Sequence, residues 1–184
     1  HRDLHSFPTR RSSDLTPAEL QALFRPTGRP LPFVSAHRGG AAPGHPENCI
    51  ATFERTLASA FAILEIDPRI TRDGAIVIHH DPALERTTTG TGRVADHTLA
   101  ELKALRLKDP DGRVTEHRIP TLDEVLEWAR GRTILVLDQK DVSVEARVRK
   151  IEEHRAEAFA MLIVGSFQDR SEEHTSELQS RQSI

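Results

Sequence analysis

The chain has 184 residues, of which 37% are hydrophobic and 29% charged, a composition typical of a folded, soluble domain rather than a disordered chain. Its 25 Lys and Arg residues against 28 Asp and Glu residues give a net charge of -3, so we expect neither a nucleic-acid partner nor an anionic-membrane surface. The single cysteine, Cys49, excludes an internal disulfide framework and a thiolate zinc site. No apolar run approaches the roughly 20 residues that span a bilayer, and a cytoplasmic location is our expectation.

Both ends of the chain look foreign to the rest. Residues 1–15 and 170–184 are polar, rich in Ser, Arg and His, and lack a helix or strand period. Residues 170–174 can be encoded by AGATCGGAAGAGCAC, and residues 11–15 by CGCTCTTCCGATCT plus any base. The shared stem GCTCTTCCGATCT is the reverse complement of AGATCGGAAGAGC and resembles a sequencing adapter. We therefore predict non-native tails at 1–15 and 170–184 around a natural segment, 16–169; two disordered tails are the alternative.

The first half of the natural segment alternates strand and helix signals. Residues 33–37 (FVSAH) are a short apolar run followed by a Gly-rich turn. Residues 46–60 predict a helix, since Ile50, Phe53, Leu57 and Phe61 recur at helical spacing. Two further strands are predicted in AILEIDPRI (62–70) and AIVIHH (75–80), joined by the turn TRDG.

The second half opens with two helix-start signals. Thr98 with Glu101, and Thr121 with Glu124, fit the capping box in which two side chains reciprocally satisfy free amide donors at a helix start. The segments that follow are a helix ending near Gly131, an apolar strand at 133–138, a charged helix with Val144, Val148 and Ile151 on one side, and a strand at 160–167.

Strands alternating with helices indicate a parallel α/β fold. Polar residues gather where the predicted strands end, and carboxyl ends of strands that carry such groups are typical of the active-site face of a (β/α)8 TIM barrel. These residues are His37, Glu65, Asp67, His79, His80, Asp81 and Asp138. A complete barrel needs about 250 residues, so we expect an incomplete (β/α)8 TIM barrel with about its first five strands.

Two carboxylates on one face of a strand call for a positive partner. Because strand side chains alternate in direction, Glu65 and Asp67 point the same way, and two like charges so close repel unless a cation or donor lies between them. With Asp138 from a neighbouring strand, they offer three hard oxygen ligands that suit Mg2+ or Ca2+. The alternative is that Glu65 and Asp67 pair with surface arginines or cap a helix.

Two histidines and an arginine complete the candidate site. His37 and His80 are candidate metal ligands or an acid/base pair, because an unperturbed imidazole titrates near neutrality. Arg38 offers a planar fork for a phosphate, and the glycines that follow let backbone amides approach an anion.

The string HRGG, HPENCIATF, FAILEIDPRITRDGAIVIHHDPALERTTTGTG, over about residues 33–140, closely resembles the glycerophosphodiester phosphodiesterase family of metal-dependent TIM-barrel enzymes. The resemblance implies that His37 and His80 are the general acid/base pair. It also implies that Glu65 and Asp67 are metal ligands. Substrate-binding positions would be Arg38, Glu47 and Lys140.

The chain departs from the family at the third metal ligand. That ligand is usually the Glu of a Glu-x-Lys motif, whereas here Asp138 opens "DQK" and is one methylene shorter. The resemblance implies hydrolysis of glycerophosphodiesters to sn-glycerol 3-phosphate and an alcohol, by water or through the glycerol 2-hydroxyl. This chain alone would be inactive. The alternatives are a related phosphodiesterase acting on phosphoinositides or sphingomyelin, and a noncatalytic phosphate- or carbohydrate-binding module of the same fold.

Overall fold

The structure is a computed structural model that describes residues 34–60 and 62–165, together with Ala18. The two predicted tails, residues 1–15 and 170–184, and the predicted helix position Phe61 lie outside the described residues. In chain order the elements are β1 (Ser35–Ala36), a 3-10 helix (His37–Gly39), α1 (Ile50–Ser59), β2 (Ile63–Ile66), β3 (Pro68–Ile70), β4 (Ile76–Ile78), a second 3-10 helix (Val94–Asp96), α2 (Leu99–Ala104), α3 (Leu122–Ala129), β5 (Leu135–Leu137), α4 (Val144–Glu153) and β6 (Ala160–Leu162).

A four-stranded parallel sheet forms the centre of the fold, in the order β1-β2-β5-β6. Helix α1 connects β1 to β2, and α4 connects β5 to β6, as expected for strand–helix–strand units. Leu64, Ile66, Leu135 and Leu137 are fully buried, because helices cover a sheet whose strands read as apolar runs. The parallel α/β arrangement predicted from the alternating pattern is therefore present.

One predicted strand lies elsewhere. The segment predicted as a single strand at 62–70 is divided at Asp67, and its second part, β3, pairs with β4 in a separate antiparallel hairpin. The connection explains the difference, since Gly74 with a φ of 80° closes a turn of a few residues. Parallel neighbours need a crossover of roughly a dozen residues or more. The described part of the chain thus supplies four parallel strands, and the other two strands, β3 and β4, form the hairpin.

The hairpin begins a long excursion between β2 and β5 that carries its own core. Six of its buried apolar side chains cluster with Cys49, which lies just before α1, and these six are Val77, Leu84, Val94, Leu102, Leu107 and Ile119. Ile76 and Ile78 of β4 pack in the main core instead. Leu102 belongs to α2, which packs in this excursion, whereas α3 packs its buried face against the main core. The excursion therefore folds as a small lobe attached to the sheet, with His80 at the end of β4.

Both predicted helix starts are present, and helix α4 buries an arginine that the sequence did not mark as inward-facing. Both predicted capping boxes form, with Thr98 and Thr121 each accepting from the backbone amide of the Glu three residues later. On the apolar side predicted for α4, Val148 is 37% exposed, while Ile151 and the neighbouring Arg147 are buried. A guanidinium took the inward position because three backbone carbonyls at the ends of β5 and β6 accept from its Nη1.

The sheet is open at both ends among the described residues. Val34 next to β1, and Ile163 and Val164 after β6, are 51%, 38% and 55% exposed. Apolar residues exposed beside unpaired strand edges are what an incomplete barrel leaves uncovered. No helix in the described ranges has the length and apolar character needed to cross a membrane.

Candidate active site

Three carboxylates meet where β2 and β5 end. Ile66 is paired with Leu137, so Asp67 and Asp138 both follow the last residue of their strands, and the Asp138 amide donates to Ile66 O at 2.9 Å. Glu65 lies two residues before Asp67 and faces the same side. One carboxylate oxygen from each of these three residues lies within 4.8 Å of the others. The structure thus brings together the three residues that the sequence proposed as metal ligands.

The surroundings of this acidic cluster fit a divalent cation. Asp67 is fully buried, and its Oδ1 accepts no well-aligned hydrogen bond. Burial raises the pKa of Glu65, and the neighbouring charges of Asp67 and Asp138 raise it further, against the lowering effect of the Arg38 amide. Three hard carboxylate oxygens that repel each other, with Asp67 Oδ1 buried and without an aligned donor, form a ligand set of the kind that Mg2+ and Ca2+ prefer. An acidic triad suited to a divalent cation is therefore present, and the shorter Asp138 reaches it.

Lys140 lies against the same carboxylates. Its Nζ is 2.5 Å from Asp138 Oδ2 and 3.1 Å from Asp67 Oδ1. Burial alone would lower the pKa of Lys140, but hydrogen bonds to Asp138 and Asp67 outweigh it and raise the pKa. The ammonium therefore stays charged and neutralises part of the cluster, so a divalent cation and Lys140 would compete for these oxygens.

The turn after β1 places His37 and Arg38 beside the acidic cluster. Arg38 and Gly39 have φ values of 51° and 82°, and the Arg38 amide donates to Glu65 Oε2 at 2.8 Å. Gly39 is required here, since a Cβ at this position would lie 2.2 Å from two ring carbons of the buried Phe53. His37 is exposed, and its proximity to Glu65 contributes to lowering the pKa of that carboxyl against the larger effect of burial.

Arg38 is tied to two other residues proposed for the site. Its Nη1 lies 3.3 and 3.2 Å from the two Glu47 carboxylate oxygens, and its Nη2 is 2.8 Å from His80 Nε2. Glu47 also binds Arg86 through both oxygens, at 2.7 and 2.9 Å. Glu47 and Arg86 line a cavity of about 230 Å³. Glu47 is thus a bridge between two arginines and orients Arg38, rather than presenting a free carboxylate.

His80 is fixed through its backbone as well. Arg69, buried on β3, donates from Nε and Nη2 to His80 O at 2.8 and 2.5 Å, and its Nη1 binds Asp141 after β5. His79 points the other way and is buried, with ring nitrogens 2.8 Å from Asp81 O and 2.9 Å from Thr87 Oγ1. Burial lowers the pKa of His79. The two adjacent histidines therefore differ in role: His80 faces Arg38, and His79 holds the loop that follows.

Three residues that touch the site had no role assigned from the sequence, although Asp81 was among the polar residues noted at the strand ends. Asn48 is 2% exposed and donates from Nδ2 to Asp67 Oδ2 at 2.7 Å. Asp81 and Arg86 contact His80 and Glu47. An Asn between Glu47 and a helix start, and an Asp directly after a proposed catalytic His, were the available signals. Nothing in their spacing shows which partners they reach, because those partners are distant in sequence.

Parallel strand–helix units with carboxylates and a histidine at the strand ends define an enzyme-type α/β barrel. A family model described as the glycerophosphoryl diester phosphodiesterase family matches residues 37–180. Since that range is most of the chain, the chain belongs to this family. The match runs past residue 169, and the domain boundaries at 15/16 and 169/170 stay predictions.

Solved structures share the fold. A glycerophosphoryl diester phosphodiesterase from Parabacteroides distasonis superposes with a TM-score of 0.79 at 47% identity, over 82% of this chain and 53% of that one. An Oleispira antarctica phosphodiesterase, solved with its product sn-glycerol-3-phosphate, superposes at a TM-score of 0.56 and 33% identity, over 67% and 53%. The incomplete TIM barrel expected from the sequence is thereby confirmed.

A relative found by sequence comparison also belongs to the glycerophosphodiester phosphodiesterases. A glycerophosphodiester phosphodiesterase of Caldanaerobacter subterraneus is 41% identical over 104 residues, which are 56% of this chain and 42% of that protein. The chain spans about half the length, or less, of the relatives it matches. What it carries is the half of the barrel that bears the acidic cluster, Arg38 and His80.

Proposed function

We propose that the protein to which this chain belongs hydrolyses glycerophosphodiesters to sn-glycerol 3-phosphate and an alcohol. The observation that carries the proposal is the meeting of Glu65, Asp67 and Asp138 within 4.8 Å, beside Arg38 and His80. Family membership and the product bound by the Oleispira antarctica relative support the substrate class. This chain by itself is expected to be inactive, because half of the barrel is not part of it.

The acidic cluster would hold the divalent cation, Mg2+ or Ca2+, through Glu65, Asp67 and Asp138. When bound, the cation supplies positive charge that stabilises the phosphoryl oxygens as negative charge develops on them. Asn48 fixes one oxygen of Asp67, so the other faces the cluster. The contact with Asp138 keeps the Lys140 ammonium beside the cluster, where it would contribute positive charge toward a bound phosphate.

The remaining chemistry falls to Arg38, His37 and His80. Arg38 would hold a phosphate oxygen through the guanidinium that Glu47 orients. His37 and His80 would act as the acid/base pair, one taking a proton from the nucleophile and the other giving one to the leaving alcohol. Arg38 binds His80 Nε2 here, so a phosphate that attracts Arg38 would also free that nitrogen for proton transfer.

The test is hydrolysis of glycerophosphocholine by the whole protein. We expect turnover that EDTA abolishes and that Mg2+ or Ca2+ restores; which ion restores it identifies the metal. His37→Ala and His80→Ala should each lower kcat by about 100-fold or more. The control is His117→Ala, which changes a histidine of the attached lobe away from these contacts and should leave kcat unchanged.

Turnover that survives chelation would overturn the metal role. Binding of glycerophosphocholine without any turnover would favour the noncatalytic module, and turnover of phosphoinositides or sphingomyelin alone would favour the related phosphodiesterases.

A further inference from the structure

Asp81 binds the imidazole of His80 and has no role assigned so far. Asp81 Oδ1 lies 2.7 Å from His80 Nδ1. Its carboxylate also accepts from Arg86, with Nε 2.5 Å from Oδ2 and Nη2 3.0 Å from Oδ1. The hydrogen bond from Arg86 holds the pKa of Asp81 well below its usual range, with a further contribution from His80. Asp81 is therefore an ionised carboxylate that can only accept hydrogen bonds.

The contact at the other ring nitrogen of His80 requires the same tautomer. A guanidinium nitrogen always carries protons and only donates, so at 2.8 Å from Arg38 Nη2 the Nε2 atom of His80 must be the acceptor. A neutral imidazole with a bare Nε2 carries its proton on Nδ1, which is the atom that faces the Asp81 carboxylate. Arg38 and Asp81 thus select one tautomer from opposite sides of the ring.

These contacts form a closed hydrogen-bonded circuit of five side chains. The circuit consists of His80, Asp81, Arg86, Glu47 and Arg38, each hydrogen-bonded to the next. Its two arginines and two carboxylates balance in charge, and the neutral imidazole completes the circuit. Glu47 is only 13% exposed and Asp81 25%, whereas Arg86 is 48% exposed, so water competes least at the two carboxylates. The circuit holds the His80 imidazole in one orientation through hydrogen bonds, with no covalent bond or metal ion.

We infer that Asp81 is a positioning residue that fixes His80 in the tautomer with its proton on Nδ1 and presents Nε2 to the reacting group. Arg86 keeps the Asp81 carboxylate in place and links it through Glu47 to Arg38. The effect on turnover rests on the proposed function, since it presupposes that His80 transfers a proton. The tautomer itself does not depend on any activity.

The first arm of the test is turnover by the whole protein. Asp81→Asn offers an amide whose NH2 group conflicts with either Arg86 or His80 Nδ1, so kcat should fall by about 100-fold or more while KM stays within about threefold. The matched control is Asp111→Asn, which removes another Arg-paired carboxylate, bonded to Arg113 at 3.0 Å on the surface, and should leave kcat unchanged. An Asp81→Asn kcat within threefold of wild type would overturn the inference.

The second arm reads the tautomer directly. Long-range proton–nitrogen correlation spectra at about pH 8, where an ordinary imidazole is neutral, should show His80 protonated on Nδ1, with the signal assigned by its loss in His80→Gln. In Asp81→Asn only Arg38 still favours a bare Nε2, so a mixture of the two tautomers should appear. A variant ring that stays fully protonated on Nδ1 would show that Arg38 alone sets the tautomer and would overturn the role of Asp81. A wild-type His80 protonated on Nε2 would also overturn the inference. If the protein turns over no glycerophosphodiester, the proposed function fails, and the comparison of the His80 tautomer in the wild type and in Asp81→Asn still decides the role of Asp81.

Discussion

Replacing Asn48 tests how the protein holds a buried carboxylate at the acidic cluster. Asn48 is 2% exposed, its Nδ2 donates to Asp67 Oδ2 at 2.7 Å, and its Oδ1 accepts from the Asp67 amide at 3.3 Å. Asp67 is fully buried and its Oδ1 has no aligned donor, so the loss of Asn48 would leave the carboxylate with Lys140 as its closest positive partner.

The expected cost has two separable parts. A hydrogen bond to a charged group contributes about 1.5–3 kcal/mol. Asn48 also has a φ of 54°, a left-handed conformation that Asn tolerates and that costs other L-residues roughly 1–2 kcal/mol. Asn48→Ala loses both and should lower the free energy of unfolding of the metal-free protein by about 3–4 kcal/mol. Asn48→Gly loses only the hydrogen bonds and should cost about 2 kcal/mol.

Urea unfolding of the whole protein in EDTA, extrapolated to water, measures both changes. A double-mutant cycle with Asp67→Asn identifies the route, because the cost of Asn48→Ala should fall by about 1 kcal/mol or more once the charge is gone. A loss below about 0.5 kcal/mol for both variants, or no coupling to Asp67, would refute the reasoning.

Three other predictions concern the same region. Gly39→Ala places a Cβ 2.2 Å from the Phe53 ring at a φ of 82° and should lower the free energy of unfolding by about 3 kcal/mol. The control Gly74→Ala, with a similar φ and nothing within 4 Å, should cost about 1 kcal/mol. Lys140→Met removes a positive charge from the acidic cluster and should raise the affinity for Mg2+ or Ca2+ by about 5–10-fold in calorimetry, while lowering kcat. Glu65→Gln should stabilise the metal-free protein at neutral pH, because Glu65 has a raised pKa in the folded state. The stability it contributes is present at acid pH and lost as the pH rises above its ordinary pKa.

Each of these has a result that would count against it. Equal losses for the two glycine variants would show that Phe53 yields to the added methyl group. Unchanged cation affinity in Lys140→Met would mean that the ammonium does not compete for Asp67 and Asp138. A Glu65→Gln advantage that persists unchanged at acid pH would show that the titration of Glu65 is not its cause.

Local features of the fold could be predicted from the sequence when the interacting residues are close together in the chain. Capping boxes at Thr98 and Thr121 were predictable because their partners are three residues away. The convergence of Glu65 with Asp67 follows from strand alternation alone. The turn at Gly74 could also have been identified as a hairpin, since a connection of a few residues cannot join parallel strands. The inward turn of Arg147 could not, because its acceptors are carbonyls at the ends of β5 and β6.

The α/β class, the family motifs and the chemistry available at each strand end could be read from the sequence, because they depend on residue types and short spacings. The contacts between these side chains are visible only in the folded chain. Asp138 lies 71 residues after Asp67 and 73 after Glu65 in the chain. Arg86 is 39 residues after its partner Glu47, and Arg38 is 42 residues before its partner His80. Such contacts form only when folding brings these segments together, since hydrogen bonding and carboxylate repulsion act over a few ångströms. Sequence spacing therefore does not reveal them.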